Sequence, residues 1–224
     1  MVSVYEAFDW MLPGQFEAFA HRKSFCERQV RDGIGAGATQ ILVLGAGYDT
    51  MGSRLAPEFS GVNFYEIDHP PTARLKAKGI DALGRRDNLL LIAQDLGKQK
   101  LSAVLKANAS WDQNAGTVIV AEGLLIYLSP EAVRDLFCQC AVVSGVGSRI
   151  AFSYIPTGMD GRPDVGRWTG LMLWLQKVAG EPWTWSIRPE DLGVFLEETG
   201  WTIDLEEVGT TRKHGVEFYA VASK

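Results

Sequence analysis

The chain has 224 residues, 46% of them hydrophobic, which is enough for one large core and requires no second domain. Its formal charge of -5 argues against a nucleic-acid partner, because phosphate backbones are met by basic faces. No basic-then-apolar leader follows Met1, no run approaches the ~20 apolar residues of a membrane helix, and three cysteines suit a reduced, cytoplasmic protein.

Residues 1–37 read as a helical region. Its helix, over 15–32, carries Phe16, Phe19, Cys26 and Val30 on one stripe, and Gly33-Ile-Gly-Ala-Gly37 is its expected stop. Next comes a short, nearly all-apolar run over 40–44, the signature of a parallel strand covered on both faces. Gly45, Ala46 and Gly47 follow, where the missing Cβ atoms permit a sharp turn and a close approach to a ligand. A second strand, 62–68, ends in Asp68. A glycine turn after the first strand and an acid closing the second is the nucleotide-cofactor arrangement of Rossmann-type folds, in which the acid grips a ribose.

Further strands are expected at 89–93, 117–121 and 149–154. Helical stripes lie between them, through Leu101, Val104 and Leu105 and through Val133, Leu136, Phe137 and Cys140. Ser129-Pro130-Glu131 opens one helix with a hydroxyl cap, a proline at the first position and an acid near the positive dipole end. The insertion over 156–187 holds Trp168, Trp174, Trp183 and Trp185. There Leu171, Trp174, Leu175 and Val178 recur at helical spacing, read first as packing against the sheet and alternatively as an aromatic lid. Leu192, Phe195 and Leu196 stripe a last helix closed by Gly200. Strands over 202–208 and 216–222 flank a short polar link and predict an antiparallel hairpin. The expected fold is therefore α/β: a doubly wound, seven-stranded, mostly parallel sheet with an antiparallel C-terminal hairpin, in a single domain spanning 1–224.

Five segments resemble the leucine carboxyl methyltransferase family: Leu44-Gly-Ala-Gly-Tyr-Asp-Thr50, Arg54-Leu55, Tyr65-Glu-Ile-Asp68, Asp95-Leu96 and Ala121-Glu-Gly-Leu-Leu-Ile-Tyr-Leu128. The resemblance implies a class I S-adenosylmethionine-dependent methyltransferase, in a family that includes tetracenomycin-type O-methyltransferases. It places Gly45, Ala46 and Gly47 around the methionine end of the cofactor and Asp68 on the ribose; Glu66, on the same face of an ideal strand, is the fallback. It also sets Asp95 on the adenine amine with Leu96 on the ring. Met51-Gly52 departs from the arginine that often follows Asp-Thr in the family.

Each residue has a plainer reading. Asp49 repels a pyrophosphate and suits an ammonium or sulfonium, but it is also a plain helix cap. Asp68 can be a solvated strand end, and Asp95 a loop cap. Glu122, at the end of an apolar strand, calls for a cation, either a ligand amine or a structural arginine. Arg22 suits a cofactor carboxylate or a solvated helix face, and Tyr127 the core or a pocket. The scattered histidines and diverging Cys138 and Cys140 predict no metal site. No catalytic residue is identified. The expected partner is a small-molecule acceptor carrying a carboxylate or phenol; the alternatives are an NAD-dependent oxidoreductase and a catalytically silent cofactor-binding relative.

Overall fold

A computed structural model describes residues 15–166, 168–204 and 217–224. Seven strands form one sheet: β1 (Gln40–Leu44), β2 (Asn63–Asp68), β3 (Leu89–Ala93), β4 (Thr117–Ala121), β5 (Arg149–Tyr154), β6 (Thr202–Ile203) and β7 (Phe218–Ser223). Their order is β3-β2-β1-β4-β5-β7-β6, with β1 to β5 parallel and β7 antiparallel to both neighbours. A sheet closed by an antiparallel strand inserted between β5 and β6 departs from the dinucleotide-binding order 3-2-1-4-5-6. The predicted hairpin is present as Thr202 opposite Ser223 and Ile203 opposite Ala222. The rest of that prediction, 205–216, lies outside the described residues.

Helices α1 (Gln15–Gly35), α2 (Met51–Leu55), α3 (Pro70–Leu83), α4 (Leu101–Lys106), α5 (Pro130–Val143), α6 (Thr169–Val178) and α7 (Pro189–Glu198) connect the strands. Side chains alternate across the sheet, so β1 sends Leu42 and Leu44 to one face and Ile41 and Val43 to the other. The first face is covered by α4, α5 and α7 around Phe137, Phe152, Phe195 and Trp201. The second is covered by α1 and α2 through Phe25, Val30 and Leu55. Each such side chain removed from water contributes ~1.5–3 kcal/mol. Among the described residues, no helix is long and apolar enough to cross a membrane.

Two expectations need correction. The helix α1 does end within the expected glycine stretch, but at Gly35 rather than Asp32, and a Cβ on Gly33 would stand 2.2 Å from Val118 Cγ2. Its missing side chain brings the helix onto β4, and the left-handed turn comes at Gly37, with φ +102. Nor does the insertion pack its apolar stripe against the sheet. No residue of α6 is buried, and Trp174 is 58% exposed, whereas Trp185 is the insertion tryptophan that enters the core. The Ser129 cap is as predicted, its Oγ accepting the Ala132 N–H at 3.2 Å.

Candidate active site

The carboxyl ends of β1, β2 and β4 place the glycine turn and its acids at one edge of the sheet. Gly45 and Gly47 both have positive φ, +63 and +49, a region that L side chains rarely enter. A Cβ on Gly45 would lie 2.8 Å from Leu124 Cδ1, so that position is closed by packing. At Gly47 a Cβ would meet only Gly45 O, at 3.9 Å, so the turn faces open space there. Ala46, between them, is buried. Asp68 closes on the turn, accepting the Gly47 N–H at 2.5 Å through Oδ2 and the His69 N–H at 2.6 Å through Oδ1.

Beyond the turn, a charged cluster joins α1 to the strand ends. Arg22 donates from Nε to Glu122 at 2.9 Å and from its other arm to Glu217. Its neighbour Lys23 pairs with Asp49 and reaches Glu122 at 3.4 Å. Arg22 also covers Gly123, where a Cβ would lie 3.2 Å from the guanidinium, and stacks over Phe19 at 5.2 Å. Burial opposes the Arg22 charge, but the Glu217 and Glu122 carboxylates outweigh it and hold the guanidinium firmly cationic. Burial likewise works against the Asp49 charge, yet Lys23 and the Met51 N–H, at 2.6 Å, keep its carboxyl below the usual range. Two cations against three carboxylates leave this cluster with one net negative charge.

Asp95 and Leu96 stand past β3. Asp95 accepts the Gly97 N–H at 2.9 Å and approaches Lys98 at 3.2 Å and His69 at 3.5 Å. The Lys98 hydrogen bond, then the Gly97 N–H, lower its pKa. Leu96 packs on the first-face core, partly buried.

The structure thus gathers Arg22, Gly45, Gly47, Asp49, Asp68 and Glu122 at one edge, with Asp95 and Leu96 along it. Glu66 is set apart. It shares a face of β2 with Asp68, yet it is 1% exposed and paired internally with Lys76 at 2.8 Å. Tyr127 lies at the rim, 42% exposed; burial raises its phenol despite the Trp183 indole beside it. Three participants were missed in the sequence. Glu217 carried a usable signal, an acid heading an apolar strand as Glu122 ends one. Lys23 reads as an ordinary exposed helix residue. Lys76 misleads outright, because a helical stripe would bury its neighbour Leu75, which is 54% exposed.

The sequence profile described as leucine carboxyl methyltransferase matches residues 6–141, more than half of the 224. A provisionally named S-adenosyl-L-methionine-dependent methyltransferase of Mycolicibacterium smegmatis is 34% identical over 84% of this chain and 62% of its own length. One from Mycobacterium marinum is 33% identical over 90% of this chain and 65% of its own. The chain therefore spans less than two thirds of the length of these relatives. Among solved structures, a provisionally named methyltransferase from Thermobifida fusca superposes with a TM-score of 0.74 at 15% identity, over 99% of this chain and 87% of that one. That likeness carries the fold, and the profile and relatives carry the kinship: the chain belongs to the leucine carboxyl methyltransferase family.

Proposed function

We propose that this protein binds S-adenosyl-L-methionine and transfers its methyl group to a carboxylate or phenolic oxygen of a small molecule. The observation that carries the reading is the open glycine turn at Gly47, ringed by Asp68, Asp49, Glu122 and Glu217. Those residues fit the cofactor. The cluster's net negative charge suits a cationic ligand, and Gly47 leaves room where a side chain would intrude. A pyrophosphate, in contrast, would meet carboxylates.

In this reading Asp68 accepts from the ribose hydroxyls, and Asp95 accepts from the adenine amine with Leu96 against the ring. Glu122 takes the ammonium of the methionine end while Arg22, retained by Glu217, takes its carboxylate. The bound sulfonium supplies an already activated methyl group. The protein's part is to hold the acceptor oxygen in line and keep water out.

An acceptor carboxylate, with a pKa near ~4, is ionised at neutral pH; a phenol, near ~10, needs a base. Among the described residues around the turn, the carboxylates are engaged by cations or N–H groups, and the raised Tyr127 phenol is a proton donor. That favours a carboxylate acceptor.

The test has two stages. A thermal-shift comparison of S-adenosylhomocysteine with NADH should show stabilisation by the former alone; the reverse would favour the oxidoreductase reading. Transfer of a labelled methyl group across a panel of small carboxylic acids and phenols should then give product. Binding with no transfer to any member would favour the silent relative, for which Met51 in the place of the family's frequent arginine is the motive.

A further inference from the structure

Behind the glycine turn lies a charged pair that none of the contacts above uses. Lys76 on α3 is 6% exposed and Glu66 on β2 is 1% exposed, with Nζ 2.8 Å from Oε2. A buried pair of this kind is weak as a source of stability, since desolvating both groups offsets most of their attraction. What it touches is more informative. Lys76 Nζ donates to the Ala46 carbonyl at 3.2 Å, the central peptide of the turn. The Glu66 carboxylate lies against the Gly52 backbone, where a Cβ would stand only 2.5 Å from Glu66 Oε1. Residue 52 admits the carboxylate because it is glycine. The pair therefore grips the segment between β1 and α2 at both ends, Ala46 through the ammonium and Gly52 through the carboxylate.

We infer that Lys76 and Glu66 are positioning residues: together they fix the Ala46 peptide so that the Gly47 N–H and the Asp68 carboxylate stay in the geometry the cofactor meets. This rests on the cofactor reading proposed above. Fixing the Ala46 carbonyl toward Lys76 orients the 46–47 peptide, whose N–H then points to Asp68 at 2.5 Å. Without the ammonium, the peptide between the two positive-φ glycines keeps only the Asp49 N–H on its carbonyl, at 3.1 Å, and Asp68 on its N–H. Burial pushes the Glu66 carboxyl up against the pull of Lys76, consistent with a pair maintained at a cost to stability.

The test compares Lys76→Met, and the double variant Glu66→Leu with Lys76→Met, against the unaltered protein. The double variant leaves no orphan charge and keeps the experiment open if the single variant fails to fold. S-adenosylhomocysteine affinity is read by calorimetry well below the melting temperature, and the Gly47 amide by nitrogen-resolved NMR. The expected result is a folded double variant with a melting temperature near that of the parent, affinity at least ~10-fold weaker, and a displaced Gly47 amide resonance. Unchanged affinity overturns the inference. So does an undisplaced Gly47 amide, and so does loss of folding in both variants, since either makes the pair purely structural. If the unaltered protein itself binds no S-adenosylhomocysteine, the cofactor reading fails instead, and the Gly47 resonance alone decides the role of the pair.

Discussion

The glycine-turn edge and the insertion are built on opposite principles. At the edge, nearly every charged group is tied to another: Arg22 to Glu122 and Glu217, Lys23 to Asp49, Lys76 to Glu66. In the insertion, α6 presents Leu171, Trp174, Leu175 and Val178 to solvent and buries nothing. The first region is a preorganised polar cradle, whose geometry is set by backbone turns and short paired side chains. The second is apolar surface on a helix that meets the described core through Met172.

The largest expected effect breaks the cradle. Gly47→Val forces a β-branched side chain into positive φ and into the open space of the turn, so S-adenosylhomocysteine affinity should fall at least ~100-fold in calorimetry while circular dichroism stays near native. Asp68→Ala comes next. Removing a charged acceptor of this type costs ~1.5–3 kcal/mol, or roughly 10- to 100-fold in affinity. Arg22→Ala acts on stability as well as binding, because it leaves Glu122 and Glu217 facing each other without their cation. A loss of ~2 kcal/mol in urea unfolding is expected, with Glu217→Gln losing less.

A smaller effect concerns pH. The Asp49 carboxyl is held below its ordinary value, so its contribution to stability is present above the unfolded pKa near ~4 and is lost as pH falls through the lower folded value. Asp49→Asn should cost ~0.5 kcal/mol of stability at neutral pH, little or nothing in acid, and so flatten the decline of stability as pH falls below about 4. The smallest expected effect lies in the insertion. Trp174→Ser should alter stability by less than ~0.5 kcal/mol, since the ring is 58% exposed. A change in KM for the acceptor, with cofactor affinity constant, would sharpen the contrast between the two regions.

That contrast also explains what could be read from the sequence. The buried strands were legible because a strand covered on both faces is an apolar run, as in Gln40–Leu44 and Thr117–Ala121. The turn was legible because φ +63 and +49 strongly favour glycine. Asp68 and Glu122 stood out as acids terminating such runs. The glycine stretch 33–37 was legible as the stop of α1, but not that Gly33 within it brings the helix onto β4, because in one dimension the two kinds of glycine look alike. Lys76 was invisible because its partners lie on another strand and another turn; no local spacing encodes them. The α6 stripe misled for the opposite reason, since periodicity reports that a face is apolar but not what covers it.

The most direct measurement of the central claim is a crystal structure of the protein with S-adenosylhomocysteine. The account predicts ligand at the carboxyl ends of β1, β2 and β4, with its ribose hydroxyls on Asp68 and its amino-acid end taking up Glu122 and Arg22. Ligand density elsewhere, or an empty edge with Arg22 still joined to both Glu122 and Glu217 at saturating ligand, would contradict it.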